Sequence, residues 1–112
     1  MRHIKTQASW DKAIAFDGVT VVDFYMSWCM PCGKLKPILH EIEAEYQAKN
    51  APLMMVTIEI DDLPEMSRRY KVAAVPALFF FVKGNESGKR IVGFKEKEIV
   101  VERIEQELAR IK

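Results

Sequence analysis

The chain predicts an α/β fold: a central mixed sheet of four to five strands flanked by helices on both faces, in a single domain over residues 1–112. Three observations carry that expectation. The runs 19–26, 53–60 and 77–82 are strongly apolar and have the length of buried strands. Segments between them repeat apolar residues at helical spacing. The last run is followed by a glycine-bounded turn instead of a helix, so the sheet should finish in an antiparallel hairpin. The implied order is β-α-β-α-β-α-β-β-α, with parallel crossovers in the first part.

Taken in order, residues 2–5 suit a short edge strand. Ser9 is the expected N-cap of the first helix, with Asp11 in its first turn and Trp10, Ala13 and Ile14 on one face. Lys12 stands where a capping box would place Glu or Gln. Asp17-Gly18 ends this helix. Val19 to Met26 is apolar on both sides, which makes it a central strand, and Asp23 is its only charge. From Pro31 onward, Leu35, Ile38, Leu39, Ile42 and Tyr46 form a helical stripe, and Pro37 inside it predicts a kink. Leu53 to Ile60 is the second buried strand. Asp62, Pro64 and Glu65 open a short helix carrying Met66 and Tyr70. Ala77 to Val82 is the third strand, Gly84 to Gly88 the turn, and Lys89 to Val92 the fourth strand. Val100, Ile104, Leu108 and Ile111 place a final amphipathic helix on the sheet, although no Ser, Thr, Asp or Asn marks its start.

The composition is that of an ordinary globular protein, 49% hydrophobic and 29% charged. Seventeen basic residues against sixteen acidic ones, spread without blocks, give no electrostatic case for nucleic acid or an anionic membrane. No stretch is apolar for long enough to span a bilayer. The first sixteen residues lack the apolar core and cleavage site of a secretory signal, so a cytoplasmic location is expected.

The chemistry lies in the only two cysteines, within Trp28-Cys29-Met30-Pro31-Cys32, where the central strand passes into a helix. A sulfur at a helix start faces unpaired N–H groups and the positive end of the helix dipole, which stabilise a thiolate by up to ~2 kcal/mol. The second thiol matters more. Cys32 lies one turn beyond Cys29, so it can attack a mixed disulfide formed on Cys29 at an effective concentration that no free thiol matches. Pro31 restricts the backbone between them and is tolerated at a helix start. This spacing favours disulfide exchange. A zinc site would need four ligands, and Cys29, Cys32, His3 and His40 are the only obvious candidates, so no metal is expected. An inert pair of core cysteines fits poorly with Trp and Pro flanking a strand-to-helix junction.

The segment from Val22 through Asp23, Trp28 and Cys29 to Cys32 resembles the active-site signature of the thioredoxin family. Further landmarks follow in the family's order: Pro37 is similar to its helix-kinking proline, Ile60-Asp61 to the end of its third strand, Val75-Pro76 to its cis-proline motif, and Gly93 to its glycine before the last helix. The resemblance implies a thioredoxin fold and protein-disulfide reduction. It also implies that Cys29 is the attacking nucleophile, Cys32 the buried resolving thiol, and Asp23 a buried carboxylate that relays a proton to or from the resolving thiol. A purely structural Asp23, tied to backbone amides, is the alternative. Trp28, Met30, Pro31, Val75, Pro76 and Gly93 would bind substrate, with the backbone of Val75 pairing to an extended segment of it.

By the same resemblance the protein is expected to be a monomer with no tightly bound cofactor. Electrons would come from NADPH through a flavin-containing thioredoxin reductase and pass to disulfide-containing protein substrates. Four departures stand out. Met30 replaces the usual glycine, Tyr25 a common tryptophan, and Ala77 a common threonine. Thr57 falls where bacterial relatives often carry a lysine, which would leave Asp23 without a charged neighbour. Because residues between the cysteines tune the redox potential, a protein disulfide oxidase or isomerase is an alternative activity. A binding module that clamps partners independently of its thiols is the alternative outside enzymes.

Overall fold

The computed structural model describes residues 1–111. Its strands are β1 (Arg2–Ile4), β2 (Val19–Tyr25), β3 (Leu53–Glu59), β4 (Ala77–Val82), β5 (Asn85–Glu86) and β6 (Ile91–Val92). The helices are α1 (Gln7–Ile14), α2 (Met30–Ala48), α3 (Pro64–Arg69) and α4 (Lys97–Ala109). The lateral order is β1-β3-β2-β4-β5, with β6 also paired to β4. β1, β3 and β2 run parallel, and β4 is antiparallel to β2 and to both short strands. The expected mixed sheet is therefore present. Six strand segments share five lateral positions, because β5 and β6 lie one after the other along β4.

Alternation along β2 divides the core. Val22 and Phe24 join Trp10, Val56, Ile58, Phe79 and Phe81 on one face. Val19 and Val21 join Leu35, Leu39, Ile42, Phe80, Val100 and Ile104 on the other, beneath α2 and α4. Each face of a fully covered sheet must be apolar, which is why β2 reads as a continuous apolar run. Asp23 is the exception, on the α2 face and 4% exposed. Among the described residues, no helix is long and apolar enough to cross a membrane.

The boundaries of α1, α3 and the hairpin differ from expectation. Thr6, not Ser9, caps α1: the Thr6 hydroxyl accepts from the Ser9 amide at 3.1 Å, and Ser9 completes a capping box from the third helical position. Asp11 consequently falls beyond the first turn. Asp62 does not cap α3, whose N-cap is Leu63 with no side-chain bond. The hairpin turn is Lys83-Gly84, both at positive φ as a two-residue connection requires, so strand pairing resumes at Asn85 and the later strand starts only at Ile91. As expected, Pro37 lies inside α2, which continues through it. Starting at Glu96 without a side-chain cap, α4 agrees with the absence of a start signal.

Gly18, expected only to end α1, has a further constraint. A Cβ there would lie 2.6 Å from the Pro52 carbonyl oxygen and 2.7 Å from the Phe16 ring. Gly18→Ala is expected to lower stability by about 1–3 kcal/mol through overpacking at the entry to β2, seen as a shifted urea midpoint at unchanged slope.

Candidate active site

The central strand delivers its C-terminal end to the start of α2, and the dithiol sits at that junction. Cys29 is the N-cap of α2, with its sulfur accepting the Cys32 N–H at 3.2 Å, and Pro31 occupies the first turn. Cys29 and Cys32 are joined as a disulfide with Cα atoms 5.3 Å apart. Cys32 is buried and Cys29 half-buried. That asymmetry suits an outer attacking sulfur and an inner resolving one.

A second loop closes over the outer sulfur. The Val75–Pro76 peptide is cis, and the Val75 carbonyl oxygen lies 3.8 Å from Cys29 Sγ. In the disulfide form this sulfur has no proton to donate, so the approach is a contact and not a hydrogen bond. The Gly93 N–H donates to the Pro76 carbonyl at 2.7 Å, which ties the segment before α4 to the same loop. Trp28 is 75% exposed and Met30 74% exposed, so neither packs beneath the helix. The structure thus gathers Cys29, Val75, Pro76 and Gly93 directly, with Trp28 and Met30 as flanking apolar surface. Val92 and Phe94, in the segment around Gly93 that is expected to add to this rim, also expose apolar side chains.

Behind the disulfide lies a cavity of about 440 Å3 whose lining includes Asp23, Cys29, Cys32, Gly33, Lys36 and Thr57. Asp23 Oδ1 is buried without a hydrogen-bond partner. Burial pushes its carboxyl up from the ordinary range to about 7, while the Lys36 ammonium pulls the other way. The expectation that Thr57 leaves Asp23 without a charged neighbour is therefore corrected. Lys36 follows Cys32 by four residues on the same helical face, a spacing that was readable in the sequence. His3 and His40 also line this cavity. Among the described residues, no group of three or more His, Cys, Asp or Glu side chains is arranged to hold a metal ion.

A carboxyl that titrates near neutrality, in one cavity with a buried thiol, is chemically able to exchange a proton with it. The tied backbone amides of the structural alternative are not found at Oδ1.

The thioredoxin family model matches residues 2–106. Thioredoxin of Staphylococcus aureus is 33% identical over 103 residues, which cover 92% of this chain and 94% of that protein. The X-ray structure of Fasciola hepatica thioredoxin superposes with a TM-score of 0.84 at 27% identity, covering 96% of this chain and 99% of that one. The oxidised form of mitochondrial thioredoxin 3 from Saccharomyces cerevisiae gives 0.82 at 22% identity, covering 95% and 94% of the two chains, and at that identity shows the fold alone. A match running from the first strand into the last helix, over a Cys-x-x-Cys pair already joined, leaves one conclusion: this chain belongs to the thioredoxin family.

Proposed function

We propose that this thiol–disulfide oxidoreductase works as a reductant of protein disulfides. It would be recharged by a flavin-containing thioredoxin reductase drawing on NADPH, and would act as a cytoplasmic monomer with no tightly bound cofactor. The redox-active pair is Cys29 and Cys32. One observation carries the reading: the half-buried sulfur caps a helix while its partner is held behind it within disulfide reach.

In the reduced protein the unpaired N–H groups of the first turn favour Cys29 as thiolate. It attacks a substrate disulfide, expelling one substrate thiol and leaving a mixed disulfide. Cys32 then gives up its proton, attacks Cys29 Sγ and releases the second substrate thiol. Asp23 is the proposed acceptor of that proton. With a carboxyl held near 7, it can take a proton and return it close to neutral pH, which an ordinary carboxylate does poorly. Trp28, Met30, Val75, Pro76 and Gly93 would hold an extended substrate segment over the sulfurs, through apolar contact and the free edge of the Val75 backbone.

Equilibration with glutathione redox buffers, read by thiol alkylation, tests the direction. The expected potential is more reducing than that of glutaredoxins, roughly −230 mV or lower. A value near about −120 mV, where strong disulfide oxidants lie, would reassign the protein as an oxidase. Addition of thioredoxin reductase and NADPH should reduce the disulfide catalytically.

A further inference from the structure

We propose that His3 is a positioning residue for this chemistry, moving the proton of the buried Asp23 carboxyl to and from solvent by way of Thr57. The proposal rests on the oxidoreductase reading above. It starts from sheet register. His3 pairs with Thr57 across β1 and β3, and Thr57 pairs with Asp23 across β3 and β2. Paired residues share a face, so all three side chains form one row beneath α2, and all three line the cavity behind the disulfide.

The row is polar and connected at its outer end. His3 Nδ1 lies 3.1 Å from the Thr57 hydroxyl. On its other edge, Nε2 lies 3.3 Å from Asp62 Oδ2 and 3.5 Å from the Tyr25 hydroxyl. Asp62 accepts from Nε2–H, so a neutral ring presents Nδ1 as an acceptor and the Thr57 hydroxyl donates to it. A protonated ring donates from Nδ1 instead, which frees the Thr57 hydroxyl to donate into the cavity that holds the unpartnered Asp23 oxygen. Thr57 therefore reverses its donor direction with the charge on His3. The His3 side chain is 35% exposed, so its outer edge meets bulk water while Asp23 does not.

The remaining groups around the cavity are placed differently. Lys36 and His40 stand on α2, outside the row that sheet pairing forms, and Lys36 acts on Asp23 through its charge. The Met1 ammonium is held by Glu43 at 3.0 Å. In the resolving step the Cys32 S–H proton passes to the Asp23 carboxylate, the Cys29–Cys32 bond forms, and the Cys29–substrate bond breaks with its electron pair leaving on the substrate sulfur. To accept that proton Asp23 must first be ionised, and the Thr57–His3 row is the outlet through which its carboxyl proton leaves before Cys32 attacks, so the row acts within the second release.

The test uses fully reduced protein and the chromogenic disulfide 5,5′-dithiobis(2-nitrobenzoate) in a weakly buffered solution near neutral pH. Release of the first thiolate depends on reagent concentration and reports attack by Cys29. The second release is concentration-independent and reports resolution by Cys32. His3→Ala and His3→Gln are each expected to slow only the second phase, roughly tenfold, at the low end of what general acid–base groups contribute. Added imidazole should restore the rate of His3→Ala. Asp23→Asn should slow the same phase, with no imidazole rescue and no further loss on adding His3→Ala. A His3→Gln variant at the wild-type rate, a loss in His3→Ala that imidazole does not relieve, or multiplicative losses in the double variant would each overturn the proposal. Release of only one equivalent by the unaltered protein would instead sink the oxidoreductase reading itself.

Discussion

Cys32→Ser is expected to turn the protein from a catalyst into a trap. Cys29 keeps its place as the helix N-cap, so it still attacks a substrate disulfide and forms the mixed disulfide. The release step is then left to external thiols. A neighbouring thiol fixed one turn away acts at an effective concentration of order 10^5 M or more, whereas cellular or assay thiols are millimolar, so turnover should fall at least ~10^3-fold even after generous allowance for imperfect alignment. Mass spectrometry of the variant mixed with a disulfide-containing protein should show a stable one-to-one adduct that dithiothreitol dissolves. Cys29→Ser should show no adduct and no turnover. Serine differs little in volume from cysteine, so both variants should melt cooperatively. If partner proteins still bind after both thiols are removed, the apolar rim is acting alone and the clamp reading takes the place of the enzymatic one.

The parts of this fold that were legible in the sequence are those whose physics is local. β4 was readable to the residue because Ala77 to Val82 is covered on both faces and must be apolar throughout. The same logic exposed Asp23, since one charge in such a strand stands out without any knowledge of its neighbours. Capping was less readable. Thr6 and Ser9 are both competent caps three residues apart, and the choice between them depends on where the chain leaves β1. Lys83 in the left-handed region gives no compositional sign, because the familiar hairpin signal puts Asn, Asp or Gly there. His3 was the hardest to place. Its partner is 54 residues away, and the contact exists only because β1 adds in parallel to β3 in one register. A one-residue slip would turn the imidazole to the opposite face. Lys36, by contrast, needed only the helical spacing from Cys32.

Asp23→Asn is expected to stabilise the oxidised protein at alkaline pH while slowing its chemistry. The folded carboxyl titrates at about 7 and the unfolded one at 3.8, so between those values the native state holds a proton that the unfolded state has released. Native stability must then fall as pH rises through this window. Below about 4 both states are protonated and the group is neutral in the balance. Above about 7 the full penalty applies, and three units at 1.36 kcal/mol each amount to roughly 4 kcal/mol. Asparagine carries no charge at any pH, so its stability curve should lack this decline. Urea unfolding of the oxidised proteins should give similar free energies at pH 4 and a gap opening toward several kcal/mol by pH 8.5, in favour of the variant. A constant gap at all pH values would mean that Asp23 titrates alike in the native and unfolded states and that burial is not raising it. A charge that weakens the fold by this much, with one oxygen left unpartnered beside the disulfide, has no structural justification at that position. The proposed proton transfer with Cys32 would supply one, and it predicts that the more stable variant is the slower reductant.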